Sequence, residues 1–120
     1  SIVEREVSKP EDRAQVAQVF LKRLNTGMRL ESDATASYGA ILAGEQPSLT
    51  YDSAYNTYAR DGLPPTPISN VSESSLLAVA RPANTSWLYF VSGDDGNTYF
   101  STNLSDHQSL TAQHCKKLCN

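Results

Sequence analysis

The chain has 120 residues, of which 39% are hydrophobic and 19% are charged. This length suits one domain with a single hydrophobic core, and the composition excludes disordered and fibrous classes. The formal net charge is −3 and no basic cluster is longer than Lys116-Lys117, so nucleic acid is not an expected partner. No apolar run approaches the roughly 18 residues that span a bilayer, and the chain as given is expected to be soluble.

The first 27 residues predict two helical segments. Ile2–Glu6 has the pattern of the last turns of a helix, so we expect the chain to be cut from a longer protein. Ser8 and Glu11 have the spacing of a capping box, and the apolar spacing that follows predicts a helix over Lys9–Asn25. Gly27 is expected to end this helix in the left-handed conformation.

The apolar residues in the middle of the chain show no clear periodicity. Over Met28–Asn70 the helical spacing of apolar residues fades and glycines and prolines recur, which predicts a loop-rich segment. Long irregular segments in compact domains often line binding clefts. Ser72–Ala80 then predicts a short helix that Pro82 closes.

The last third predicts a hairpin followed by a helix. The β-favouring runs Trp87–Val91 and Thr98–Ser101 are separated by turn-forming residues. Helical spacing begins near Asn103 and continues to Leu118. We therefore expect an α+β fold with N-terminal helices, a loop-rich cleft segment, a β-hairpin and a C-terminal helix.

Two cysteines, Cys115 and Cys119, lie four residues apart near the C-terminus. A metal site needs more ligands at suitable spacing than this segment offers, so no metal is expected. A disulfide in an oxidising compartment and a pair of free thiols both remain open.

Six short motifs, in this order along the chain, resemble those of the YceG-like family. They are Ser1-Ile2-Val3-Glu4-Arg5-Glu6, Gly27-Met28-Arg29-Leu30, Ser32-Asp33-Ala34-Thr35, Tyr55-Asn56-Thr57-Tyr58, Gly62-Leu63-Pro64-Pro65 and Leu88-Tyr89-Phe90-Val91. The resemblance implies that residues 1–120 are the C-terminal catalytic portion of an endolytic murein transglycosylase, truncated at its N-terminus. Ala34, Val7 and Val71-Ser72 depart from the residues usual in the family, which leaves subsite preference open.

The resemblance also implies what the full-length protein does. Its substrate is the glycan strand of peptidoglycan, and it needs no metal or organic cofactor. An anchor in the missing N-terminal region holds it in the cell membrane with its catalytic part on the extracytoplasmic face. Association with the cell-wall synthesis machinery is expected there.

The resemblance assigns the catalytic acid and base to Glu4 and gives Glu6 no chemical role. A single carboxylate in such an enzyme first protonates the leaving oxygen and then activates the sugar's own C6 hydroxyl, which yields a 1,6-anhydro sugar. Proton delivery near neutral pH requires a raised pKa, and packing beside Ile2 and Val3 offers Glu4 an apolar setting. From spacing alone, Glu4 also fits an ordinary solvated helix residue.

Further residues are candidates for binding the glycan through hydrogen bonds or through an apolar ring face. They are Asp33, Tyr55, Asn56, Thr57, Tyr58 and His107. For Asp33 a turn or helix cap is an equal alternative, and for His107 a structural role in the last helix is an alternative. Two other functions remain open: a glycan-binding module without turnover, and a muramidase that activates water with Asp33.

Overall fold

The computed structural model describes residues 1–119 as five helices and one two-stranded sheet. In chain order the elements are α1 (Ile2–Glu6), α2 (Pro10–Asn25), α3 (Asp33–Leu42), α4 (Glu73–Ala80), β1 (Tyr89–Ser92), β2 (Thr98–Ser101) and α5 (Leu104–His114). The predicted α+β class is confirmed. Within these residues, no helix combines the length and the apolar character needed to cross a membrane.

The hydrophobic core forms around α2, as its apolar spacing predicts. Val16, Ala17 and Phe20 lie on one face of this helix and are buried, and they pack with apolar residues of α1 and α4 and with Leu30. Phe20 meets Phe90 of β1 edge to face, with ring centroids 5.5 Å apart. Helix α2 therefore joins the helical part of the molecule to the hairpin.

The sequence prediction is wrong at the start of α2 and confirmed at its end. The capping box at Ser8 and Glu11 is wrong, because Lys9 is the N-cap residue and makes no side-chain cap. Pro10 occupies the first helical position, where its missing N–H leaves nothing unsatisfied. At the other end Gly27 has φ +76, which confirms the left-handed termination.

The sequence predicts an irregular segment over Met28–Asn70, and the prediction is wrong for residues 33–42, which form α3. Ser32 caps this helix, accepting a hydrogen bond from the backbone N–H of Thr35. The helix is rich in alanine and contains Gly39, so it carries no strong apolar stripe. Gly39 is required because a Cβ there would overlap the side chain of Ser53. The remainder, residues 43–70, contains no helix or strand.

The hairpin and α5 form the second part of the molecule. β1 and β2 pair antiparallel from Tyr89 opposite Ser101 to Ser92 opposite Thr98, which confirms the predicted hairpin. α5 packs against both strands. Its N-cap, Asn103, accepts a hydrogen bond from the backbone N–H of Asp106 at 2.8 Å.

Helix α5 ends earlier than the spacing predicts, and Leu118 lies outside it. Cys115 and Cys119 form a disulfide, which decides between the two states left open by the sequence. The carboxylate of Asp94, in the hairpin turn, accepts the backbone N–H groups of residues 116–118 at 2.8–3.1 Å. These bonds replace helical ones and hold the C-terminal turn against the hairpin.

The position of Phe20 gives a test of the core. Phe20→Ala should lower the free energy of unfolding by about 3–5 kcal/mol, because it leaves a cavity between α2 and β1. Urea denaturation measures the loss. Leu63→Ala is the matched control, since Leu63 is 68% exposed and its truncation should change stability by about 0.5 kcal/mol or less. Equal losses in the two variants would contradict this core.

Candidate active site

A cleft of about 720 Å³ lies between the end of α1, the start of α3, the hairpin and α5. Its polar and aromatic lining includes Glu6, Arg23, Glu31, Asp33, Tyr58, Tyr89 and His107. Of the residues predicted to form the site, the cleft contains Asp33, Tyr58 and His107. Within residues 1–119, no three His, Cys, Asp or Glu side chains are grouped to hold a metal ion.

Glu4 lies outside this cleft, on the side of α1 that faces α4. Its Oε1 accepts the backbone N–H of Ser72 at 2.7 Å and the hydroxyl of Ser75 at 3.0 Å. Its Oε2 accepts from Nη2 of Arg13 at 3.2 Å. Hydrogen bonds from Ser72, then Ser75, and the charge of Arg13 lower the pKa of Glu4 to about 2.

The expectation that apolar packing raises the pKa of Glu4 is therefore wrong. Ser72 is the N-cap of α4, so the carboxylate sits where unpaired N–H groups and the helix dipole favour negative charge. Arg13 also donates to Ser72 Oγ and to the carbonyl of Val7. The surroundings of Glu4 join α1, α2 and α4, and at neutral pH they leave it no proton to deliver.

Glu6 is the carboxylate that α1 places in the cleft. Burial raises its pKa above the ordinary value, and the nearby charge of Asp33 raises it further. Hydrogen bonds from the Ser32 hydroxyl and the Ala34 backbone oppose this rise without cancelling it. The pKa of Glu6 is thus shifted in the direction that favours proton delivery near neutral pH.

Asp33 and Tyr58 form a pair in the wall beside Glu6. The hydroxyl of Tyr58 donates a hydrogen bond to Oδ1 of Asp33. Burial, this bond and the surrounding carboxylates raise the pKa of Tyr58, so its hydroxyl stays protonated. Of the two alternatives for Asp33, the cap is provided by Ser32 instead, and Asp33 lines the cleft.

Asn56 does not reach the cleft, which corrects its prediction as a substrate ligand. The residue is 2% exposed. Its amide nitrogen donates to the carbonyls of Leu49 and Tyr51, and its amide oxygen accepts from the backbone N–H of Tyr58. Because these bonds use both amide hydrogens and occupy the buried amide oxygen, Asn56 organises the loop that presents Tyr58.

Thr57 and Tyr55 are also placed outside the cleft. Thr57 is buried, and its Oγ1 accepts the backbone N–H of Ser32 at 2.9 Å and shares a hydrogen bond with Thr35 at 2.7 Å. The hydroxyl of Tyr55 bonds to Thr66 at 2.9 Å. Neither residue lines the cleft, and Thr57 instead fixes the start of α3 beside Glu6.

His107 forms an aromatic layer with β1. Its ring stacks on Tyr89 with centroids 5.2 Å apart, and the guanidinium of Arg23 lies 4.9 Å from the centre of the Tyr89 ring. Burial and the charge of Arg23 lower the pKa of His107, so its imidazole is neutral at pH 7. His107 lies in the cleft wall, and its role in substrate binding stays a prediction.

Glu31 is a cleft residue that the sequence did not indicate. Among residues 1–119, it is the only residue other than glycine with positive φ, at +52. This conformation costs an L-residue about 1–2 kcal/mol. The Glu31 carboxylate lies 3.6 Å from Nη1 of Arg23, and its side chain is 50% exposed. A left-handed glutamate has no signature in composition or periodicity.

The comparison with known proteins decides the family. Residues 1–113 match the sequence model of the YceG-like family. The chain belongs to the YceG-like family. It is 37% identical over 117 residues to an endolytic murein transglycosylase of Bacillus subtilis, and 33% identical over 129 aligned positions to one of Streptococcus pneumoniae. The predicted family membership is confirmed.

These YceG-like relatives are much longer than the chain. The Bacillus alignment covers 95% of the chain and 32% of the relative, and the Streptococcus alignment covers 100% and 23%. A solved YceG-like protein of Listeria monocytogenes superposes with a TM-score of 0.82 at 42% identity, covering 92% of this chain and 37% of that one. The chain thus spans about a quarter to a third of its relatives' length.

The environment of Glu4 gives a prediction for acid stability. Unfolded Glu4 takes up its proton near the ordinary pKa of 4.5, and folded Glu4 does so only near 2. Between these values the unfolded chain binds more protons, so Glu4 contributes stability above pH 4.5 that is lost as pH falls toward 2. Glu4→Gln should be less stable than the parent at pH 6, and its stability should fall less steeply below pH 4.5.

Urea denaturation at a series of pH values measures both effects. Glu11→Gln is the control, because Glu11 is exposed on the first turn of α2. It should keep the steep dependence of the parent protein. Parallel curves for the parent and Glu4→Gln would contradict the described hydrogen bonds.

Proposed function

We propose that this chain carries the catalytic centre of an endolytic murein transglycosylase that cleaves the glycan strand of peptidoglycan. The names of the Bacillus and Streptococcus relatives support this reaction. The observation that carries the proposal is Glu6, a carboxylic acid whose pKa burial raises and which lines a cleft of about 720 Å³.

In the proposed mechanism, Glu6 acts first as acid and then as base. Its proton passes to the glycosidic oxygen as the bond from that oxygen to the anomeric carbon breaks. The resulting carboxylate takes the proton of the sugar's C6 hydroxyl while the C6 oxygen bonds to the anomeric carbon. The product carries a 1,6-anhydro end, no water is consumed, and Glu6 returns to its protonated form.

This mechanism replaces Glu4 by Glu6 as the catalytic residue. A group with a pKa of about 2 is a poor general acid near neutral pH, because almost none of it is protonated. The raised pKa of Glu6 favours the protonated form, and the Ser32 hydroxyl and Ala34 backbone orient its carboxyl group. Glu4 contributes indirectly by fixing α1 against α4.

The walls of the cleft have separate roles in this proposal. The Tyr89 and His107 rings form a neutral aromatic layer, which suits the apolar face of a pyranose ring. Tyr58 donates a hydrogen bond to Asp33, and both residues lie in the cleft beside Glu6. In this proposal they bind sugar hydroxyl groups next to the bond that breaks.

A hydrolytic muramidase is the alternative that one observation favours. Asp33 lines the same cleft as Glu6 and is close enough to raise its pKa. A second carboxylate in the cleft activates water in many glycoside hydrolases. The two reactions differ in their product ends, and a 1,6-anhydro end identifies the transglycosylase reaction.

The setting of the whole protein is part of the proposal. We infer that the full-length protein acts at the extracytoplasmic face of the cell membrane, held by an anchor, and that it works with the cell-wall synthesis machinery. The support is the family relationship. Fractionation of cells that express the full-length protein, followed by crosslinking, tests both points.

A pair of isosteric variants tests the assignment of the acid. Glu6→Gln should lower the rate of glycan cleavage by about 100-fold to 10,000-fold, the usual contribution of a general acid. Glu4→Gln should retain far more activity, because it alters only the support of α1. Release of fragments from purified glycan strands by the full-length protein measures both rates. Inactivity of Glu4→Gln together with full activity of Glu6→Gln would return the role to Glu4.

Product analysis tests the reaction class. New ends should carry 1,6-anhydro-N-acetylmuramic acid, whose mass is about 18 daltons below that of a hydrolytic end because no water is added. Mass spectrometry of fragments from the full-length protein gives the answer. Reducing N-acetylmuramic acid ends alone would contradict the transglycosylase reaction and favour the muramidase. Long internal fragments indicate endolytic cleavage, and terminal disaccharides alone would contradict it.

A further inference from the structure

Glu31 has a conformation that its surroundings impose. Leu30 before it is buried in the core, and Ser32 after it is buried as the cap of α3. The backbone N–H of Glu31 donates to the carbonyl of Thr57. With both neighbours fixed, the chain turns through the left-handed region at Glu31 and directs its side chain to the cleft.

The fold itself does not require a carboxylate at this position. The other positive φ values in residues 1–119 belong to glycines 27, 44, 62 and 96, which adopt this conformation without steric cost. The cap of α3 is supplied by Ser32. A glutamate here carries strain that a glycine avoids, so we look to the side chain for a role.

The carboxylate of Glu31 has unused hydrogen-bonding capacity. Its nearest cation, Arg23, is 3.6 Å away, and the guanidinium already donates to the carbonyls of Leu88, Arg29 and Leu30. Among the described residues, no hydrogen bond to the Glu31 carboxylate is present. Arg23 therefore lies within ion-pair distance of the carboxylate while leaving the carboxylate oxygens available.

The charge of Glu31 also acts on the other walls of the cleft. It raises the pKa of Tyr58 and opposes the lowering of the pKa of His107. The carboxylate is thus near both the hydrogen-bonded wall beside Glu6 and the aromatic layer. Its half-exposed side chain is accessible to a sugar bound between them.

We propose that Glu31 is a substrate-binding carboxylate, which accepts hydrogen bonds from hydroxyl and acetamido N–H groups of the glycan in the cleft. The inference rests on the proposed function, because it places the same substrate in the same cleft. Carboxylates form stronger hydrogen bonds with such donors than neutral acceptors do. The position of Glu31, held by its backbone and by Arg23, reduces the freedom lost on binding.

Two variants of the full-length protein test this role. Glu31→Gly removes the carboxylate and fits the left-handed conformation, and Glu31→Gln keeps the length of the side chain without its charge. Glu45→Gln is the control, since Glu45 is exposed and lies outside the lining of the cleft. Binding to purified glycan strands is measured in a Glu6→Gln background, which separates affinity from turnover. Kinetics in the active background give KM and kcat, and thermal unfolding gives the midpoint.

Glu31→Gly should weaken binding and raise KM by about tenfold or more, with Glu31→Gln less affected and Glu45→Gln unchanged. The unfolding midpoint of Glu31→Gly should stay within about 2 °C of the parent or rise, because strain is relieved. Unchanged affinity in both Glu31 variants would overturn the inference. A joint fall of affinity and midpoint in Glu31→Gly would also overturn it, because Glu31 would then be structural. A parent protein that binds strands without cleaving them contradicts the proposed reaction instead, and the binding constants still decide the role of Glu31.

Discussion

The site depends on α1, a helix of only five residues that directs two carboxylates to different sides. Glu4 and Glu6 are two positions apart in α1, and two steps of a helix rotate a side chain by about 200°. One carboxylate therefore faces α4, where Ser72, Ser75 and Arg13 bind it, and the other faces the cleft. Identical groups acquire opposite pKa shifts, because one is surrounded by donors and the other is desolvated.

The rest of the fold holds Glu6 in that desolvated position. Thr57 binds Ser32 and Thr35 at the start of α3, and Ser32 in turn binds Glu6. This buried polar network is fully paired, so it fixes α3 without an apolar stripe. On the opposite side, the hairpin and α5 supply the aromatic layer. The cleft thus has one polar wall built on hydrogen bonds and one wall built on ring packing.

The sequence predicts the elements that have strong periodic or turn patterns and misses those defined by tertiary contacts. Helix α2 and the hairpin follow from the spacing of their apolar residues. Helix α3 shows no such spacing, because many of its residues are small and Gly39 packs against the loop at Ser53. The presence of Asp33 and Tyr58 in the cleft follows from their motifs. The choice between Glu4 and Glu6 depends on which partners lie opposite α1, some of them about 70 positions away, and no local pattern contains that information.

The pKa values of the two glutamates test the central claim most directly. Nuclear magnetic resonance of their side-chain carboxyl carbons follows each protonation separately, with Glu4→Gln and Glu6→Gln to assign the signals. We expect Glu6 to titrate above the ordinary value of 4.5 and Glu4 to titrate near 2. The reverse order, or two coincident titrations near the ordinary value, would contradict Glu6 as the acid of the cleft.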